Sequence, residues 1–322
     1  MLPKAELHVH LECTITPSRA RQLAERHGVP LPEAAIGPND TWRFSSFPEF
    51  LGLTDQVAAC LRSPEDYFEI TLDYLKAAKA AGVIYQELIF WHALAERNGL
   101  GADAAFAAVA AAATDSAAAG GPLCIFQTVL VRHDGPEACE AAVEWTRALG
   151  HPLLRGVNLA GNEISHPPGL FQRAFAMAAE AGLGAVVHAG EALGPESVRA
   201  ALQLPGVRRI GHGVRAIEDA DLVAELAERG ITLEVCPGSN VALGFYPDFA
   251  AHPLRRLHEA GVRVTLNADD PPFFATSIAR EYDIAARDFG MDEAVLIGLT
   301  RNAIEAGFLA AEDREGLLAG LL

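Results

Sequence analysis

A chain of 322 residues, half of them apolar, can bury a large core. It carries 25 basic against 42 acidic residues, a net charge of −17, which argues against broad binding to nucleic acid or to an anionic membrane surface. The five cysteines, at positions 13, 60, 124, 139 and 236, are odd in number and form no CxxC pair, so a reduced, cytoplasmic protein without a disulfide framework or cysteine-rich zinc knuckle is expected.

The N-terminal residues MLPKAELHVH run straight into a strand and lack a signal peptide's charged start, apolar middle and cleavage site. Eight short apolar runs read as strands, near 5–10, 84–90, 123–131, 154–160, 184–190, 208–213, 231–236 and 262–268. Between most of them lie segments with apolar residues three and four apart, at 65–81, 102–119, 135–149, 169–182, 195–203, 218–229 and 252–260, which read as helices. Several end on a glycine suited to a helix C-terminus: Gly82, Gly182, Gly230 and Gly261. The Ala-rich run 104–119 is interrupted by Thr114, Asp115 and Ser116, so it is a helix of the fold and not a membrane span. The stretch 14–76 is too long for a simple crossover and must hold extra helices over one end of the sheet. The tail 292–322 reads as terminal helices. Regular alternation of strand and helix implies a parallel sheet, and eight repeats predict an α/β fold of the TIM-type (β/α)8 barrel class, one domain over 1–322, with extra helices capping the C-terminal mouth of the strands.

The chemistry-bearing residues sit at the far ends of these strands. His8 and His10 lie one residue apart on strand one and so face the same side. An isolated HxH is more often a pair of satisfied strand histidines. Here, however, His188 ends strand five, His212 ends strand six, and Asp269 with Asp270 ends strand eight. Closing a barrel of eight strands brings these ends together, and imidazoles with a carboxylate suit Zn²⁺, although Fe²⁺, Co²⁺ or Mn²⁺ accept the same donors. Three histidines and one aspartate leave a position open for water, as a catalytic site requires. Glu191, three residues after His188, is the candidate proton donor, because a carboxyl group closed into a pocket stays protonated near neutrality. Its bland alternative is a first-turn helix glutamate facing the dipole of 195–203. For Asp270 before Pro271 the alternative is a helix N-cap.

Taken in order, HVHLE, LAGNE, HAGE, RIGHG, EVCPGSN and NADDP resemble the adenosine deaminase family of metal-dependent amidohydrolase barrels, over nearly the whole chain. The resemblance implies one Zn²⁺ per chain on His8, His10, His188 and Asp269, and hydrolysis of a purine 6-amino group, with adenosine to inosine and ammonia as the leading reaction. It further implies that Glu191 protonates ring N1 and that His212 holds the attacking water, assisted by Asp269. Asp270 would meet N7, the Gly161 amide would meet N3, and Glu12 would stand near ribose hydroxyls. Phe47, Phe50 and Leu51 resemble the family's apolar lid, with ordinary amphipathic helix packing as their bland alternative. The implied partner is a small purine nucleoside or base, with no nucleic acid or membrane, and the oligomeric state stays open.

Three departures bear on the substrate. Cys13 stands where the family has glycine, Gly238 where threonine is more usual, and Phe90-Trp91-His92 where a Ser-Pro-His-like segment is more usual. They leave adenine, or a 5′-modified adenosine such as 6-aminodeoxyfutalosine or methylthioadenosine, as alternatives. Further alternatives are a non-deaminating mononuclear metal hydrolase and a non-catalytic nucleoside-binding protein. Binuclear relatives bridge two metals with a lysine at the end of strand four. Here that end reads Asn158-Leu159-Ala160-Gly161, which favours one metal.

Overall fold

The computed structural model describes residues 2–321. Eight strands follow one another around a single sheet: β1 Lys4–Glu6, β2 Val83–Phe90, β3 Leu123–Val131, β4 Leu154–Ala160, β5 Gly184–Ala189, β6 Val207–His212, β7 Thr232–Val235 and β8 Arg263–Leu266. Every neighbouring pair is parallel. This is the (β/α)8 barrel that the alternation predicts, and strands two to eight fall where the apolar runs place them.

The first strand departs from expectation. Its ladder stops at Glu6, and His8 to His10 continue as an extended segment held by isolated bridges, Val9 to Asp269 and His10 to Ile89. Side chains take over the ladder at this point. The Leu7 amide donates to Asn267 Oδ1 at 2.8 Å and the Ala268 amide to Glu6 Oε1 at 2.8 Å. Above them the backbone closes the barrel, with the Asp269 amide on His8 O and the His10 amide on Asp269 O, both at 3.1 Å. The seam between first and last strand is therefore drawn shut by the residues that carry the site.

The expected cap over 14–76 consists of a 3₁₀ turn at Leu11–Thr14, α1 at Pro17–His27, two further 3₁₀ turns, α2 at Phe47–Ala58 and α3 at Pro64–Ala80. Thr16, Ser46 and Ser63 cap the three helices through their hydroxyls, and Pro17, Pro48 and Pro64 stand in the first turns, where a missing N–H is harmless. Short helices His92–Arg97 and Pro237–Ala242, and the helix Ile278–Arg287, were not legible in the apolar spacing.

The tail forms helices Glu293–Ala306 and Ala311–Ala319, and the residues joining them plug the barrel floor. The Phe308 ring lies 4.2 Å from the Arg209 guanidinium. It also lies against Gly156, where an added Cβ would come within 2.7 Å of the ring. A side chain at 156 would thus push out the plug. Among the described residues no helix is long and apolar enough to cross a membrane.

Candidate active site

Four strand ends deliver the expected residues to one point. The extension of β1 supplies His8 and His10, β5 supplies His188, β6 supplies His212, and the turn after β8 supplies Asp269. One ligand atom from each of His8, His10, His188 and Asp269 lies within 4.8 Å of every other. His10 Nε2 is 3.3 Å from His188 Nε2, and Asp269 Oδ1 is 3.4 Å from His8 Nε2 and 3.6 Å from His10 Nε2. Two ring nitrogens and a carboxylate oxygen converging this closely can share one cation. His8 Nε2 is buried and has no hydrogen-bond partner, while its Nδ1 is held by Glu234 Oε2 at 2.8 Å. His188 Nδ1 is held by Asn158 Oδ1 at 3.0 Å. Imidazoles with one nitrogen pinned and the other converging are the arrangement expected of metal ligands, and three nitrogens with one carboxylate fit a catalytic divalent cation such as zinc.

The backbone is strained where the site is built. His212 and Asp269 have φ of 61° and 62°, a left-handed conformation rare for residues with side chains. It turns both side chains inward at the ends of β6 and β8. His212 Nε2 lies 4.0 Å from Asp269 Oδ2, and its Nδ1 lies 3.4 Å from Glu191 Oε1. Burial pushes the His212 ring down to about 3, so it is neutral.

Glu191 sits on the loop after β5 with its carboxyl facing His212. Burial raises it well above the usual carboxylate range, and the charges of Asp269 and Glu163 raise it further. The first-turn helix role is not found: the helix Pro195–Ala201 begins four residues later, and Glu196 occupies its first turn. Asp270 likewise caps nothing, since Ser277 caps the next helix. Asp270 Oδ1 is buried without a partner. Burial and the neighbouring Asp269 charge raise its carboxyl strongly, so it can donate a hydrogen bond into the cavity.

All of Glu12, Phe47, Phe50, Leu51, Gly161 and Asp270 line the cavity that His10, His188, Glu191, His212 and Asp269 also line. Phe47, Phe50 and Leu51 lie in the first turns of α2, whose Phe50 packs on Phe274 at 5.0 Å between ring centroids. Gly161 takes φ of 99°, and a Cβ there would come within 2.9 Å of His133 Nδ1, so only glycine leaves its amide open to a ligand. Glu12 accepts the Trp91 amide at 2.9 Å through Oε1, and burial raises its carboxyl to about 7. Its geometry supports the wall of the cavity at the β1–β2 side, together with Cys13 and Trp91.

Four buried residues beneath this constellation escaped the sequence reading. Glu234 and Asn158 fix His8 and His188. Glu163 accepts from the amides of Gly190, Ala192 and Leu193 at 2.6, 2.8 and 3.0 Å and so shapes the loop that carries Glu191. Asn240 Nδ2 donates to Glu191 Oε1 at 3.2 Å and approaches His212 Nδ1 at 3.4 Å. The available signal was a polar residue at an inward position of an apolar strand, Asn158 in LRGVNLA and Glu234 in TLEV. Glu163 and Asn240 stood inside quoted motifs without an assigned role.

The family model described as adenosine deaminase matches residues 3–322. An adenine deaminase of Rhizobium leguminosarum bv. trifolii is 46% identical over 320 residues, covering 99% of this chain and 99% of the relative. One from Agrobacterium fabrum is 46% identical over 323 residues, covering 99% and 98%. Among solved structures, the adenine deaminase of Arthrobacter aurescens superposes with a TM-score of 0.92 at 29% identity, covering 100% of this chain and 98% of that one. A zinc-bound amidohydrolase from Burkholderia ambifaria superposes with a TM-score of 0.91 at 26% identity, covering 99% and 89%. The fold and the converging histidines define a metal-dependent amidohydrolase barrel. Within that class the chain belongs to the adenosine deaminase family, and it is a hydrolytic deaminase acting on the amidine C–N bond of an aminopurine.

Proposed function

We propose that the protein deaminates the free base adenine, giving hypoxanthine and ammonia, in the cytoplasm. The resemblance read from the motifs alone leads with adenosine. The observation that moves the reading to adenine is the match, end to end at 46% identity, to relatives named adenine deaminase. The cavity supports it: Cys13 and Trp91 thicken the wall at the ends of β1 and β2, where the family pattern has glycine and a smaller segment. A sugar on the base would have to fit beside them.

In this reading His8, His10, His188 and Asp269 hold one zinc ion, supported by the donor set and by the zinc-bound relative of the same fold. When bound, zinc supplies the acidity that makes a water a usable nucleophile near neutral pH. His212 and Asp269 orient that water toward C6 and take its proton. Glu191, kept protonated by burial, delivers a proton to N1 and so makes C6 electrophilic. Asp270 donates to N7 through its otherwise unpartnered Oδ1, and the Gly161 amide donates to N3. The apolar side chains of Phe47, Phe50 and Leu51 cover the ring and exclude water. The proton taken by His212 then passes to the departing amino group, the C6–N bond breaks to release ammonia, and the hydroxyl proton of the tetrahedral adduct returns to Glu191 as C6=O forms.

The test is an absorbance assay for loss of the 6-amino group, run on adenine, adenosine, 2′-deoxyadenosine and 5′-substituted adenosines. The expected result is a kcat/KM for adenine exceeding every nucleoside by at least about 100-fold. Equal or faster turnover of a nucleoside would overturn the substrate assignment.

A further inference from the structure

We propose that Glu87, Gln127 and Asn158 form a hydrogen-bond relay of fixed polarity that holds His188 in its Nδ1–H tautomer, leaving the Nε2 lone pair for the metal. The proposal rests on the reading of His188 as a zinc ligand.

The four residues climb a diagonal across the barrel interior, one on each of β2, β3, β4 and β5. Gln127 is level with Ile89, two residues above Glu87; Asn158 is level with Val129, two above Gln127; Val186 is level with Asn158, and His188 is two above it. Residues two apart on a strand share a face, so the stagger of the barrel stacks these side chains in one inward line. Glu87, Gln127 and Asn158 are fully buried, and none touches the cavity.

Hydrogen-bond chemistry fixes the direction at each step. The Glu87 carboxylate is surrounded by donors: Arg209 Nη1 at 2.8 Å, the Phe308 amide at 2.9 Å, the Tyr85 hydroxyl, and Gln127 at 2.6 Å. It can only accept, so Gln127 must present its NH₂. The same nitrogen faces a second acceptor, Leu7 O, at 3.3 Å. Gln127 Oε1 is thereby turned toward Asn158 and accepts from Nδ2 at 3.0 Å. Asn158 must then offer Oδ1 to His188, and at 3.0 Å only an N–H on Nδ1 completes the bond. A neutral imidazole protonated at Nδ1 carries its lone pair on Nε2, the atom that converges with His10. Glu87 and Gln127 are positioning residues: they act on the site only through Asn158.

The test is zinc affinity of the full-length protein, measured by competition with a chromophoric chelator. Gln127→Met keeps the volume and removes the relay, so Asn158 is free to turn its NH₂ toward His188. The expected result is a zinc Kd raised about 10- to 100-fold. Adding Asn158→Asp, whose oxygens only accept, should restore most of the affinity without restoring Gln127. A purely structural role would not be rescued this way. A Gln127→Met protein that binds zinc within about twofold of wild type, or a loss that Asn158→Asp leaves uncorrected, would overturn the relay. A second measurement needs no variant: ¹⁵N shifts of the His188 ring in chelator-stripped wild-type protein should report Nδ1–H, and an Nε2–H ring would overturn it. A wild type that takes up no zinc overturns the metal reading and the relay with it. A wild type that binds zinc while the variants behave alike overturns the relay alone.

Discussion

The two sides of the cavity are built differently. From β4 to β8, and at His8 on the extension of β1 that closes against β8, polar atoms of the site residues are pinned from behind: His8 by Glu234, His188 by Asn158, the Glu191 loop by Glu163, and Glu191 with His212 by Asn240. On the side of β1 to β3 the wall is Cys13, Trp91, Val129 and Val131, with Glu12 its carboxylate, and the indole Nε1 of Trp91 has no partner. A buried hydrogen-bonded network tolerates little change, because removing one member strands another. An apolar wall tolerates substitution of shape. The contrast predicts that changes in the pinned residues act on the chemistry and changes in the apolar wall act on the choice of substrate, and each can be broken separately.

The largest effect is expected from Glu191→Gln, which keeps the size of the side chain and removes the transferable proton. Turnover should fall by about 10³-fold with metal content unchanged; wild-type rates in this variant would remove Glu191 from the mechanism. His188→Ala should lose the metal itself, read by metal analysis after gel filtration, and activity should return only partly in excess zinc. Unchanged metal content would show the ligand set to be wrong. On the opposite side, Trp91→Ala should leave kcat on adenine within about threefold and narrow the preference for adenine over adenosine by about tenfold, since one apolar contact is worth about 1–3 kcal/mol of discrimination. A preference that stays intact would mean the indole does not select the substrate.

The smallest effect concerns stability behind β7. Glu281 is fully buried, accepts the Gly238 amide at 3.1 Å, and is raised by burial from 4.5 to about 7. A group whose folded value is raised contributes stability that is complete below about 4.5 and is lost as the pH rises through about 7. Glu281→Gln should therefore flatten the fall in melting temperature over that window, and an unchanged slope would show that other groups set it.

These two sides were also unequally legible in the sequence. Strand ends could be found because apolar runs stop at His188, His212 and Asp269, and because eight of them force the ends to meet. The apolar run overstates the strand character of His8 to His10, since Glu6 and Asn267 side chains replace the ladder there, which no local pattern reveals. Glu163, Glu234 and Asn240 were invisible as partners because a buried polar side chain finds its mate through the barrel's register, not through its neighbours in the chain. Cys13 and Trp91 were visible as departures, yet a bulky wall does not say which substrate it was shaped to hold.

Three strand ends are expected to meet around one ion. X-ray diffraction from crystals of the zinc-loaded protein, collected on either side of the zinc absorption edge, tests this directly. One anomalous peak per chain, about 2.0–2.2 Å from His8, His10, His188 and Asp269, is the expected result. A peak bound elsewhere, or no peak in protein that still turns over adenine, would contradict it.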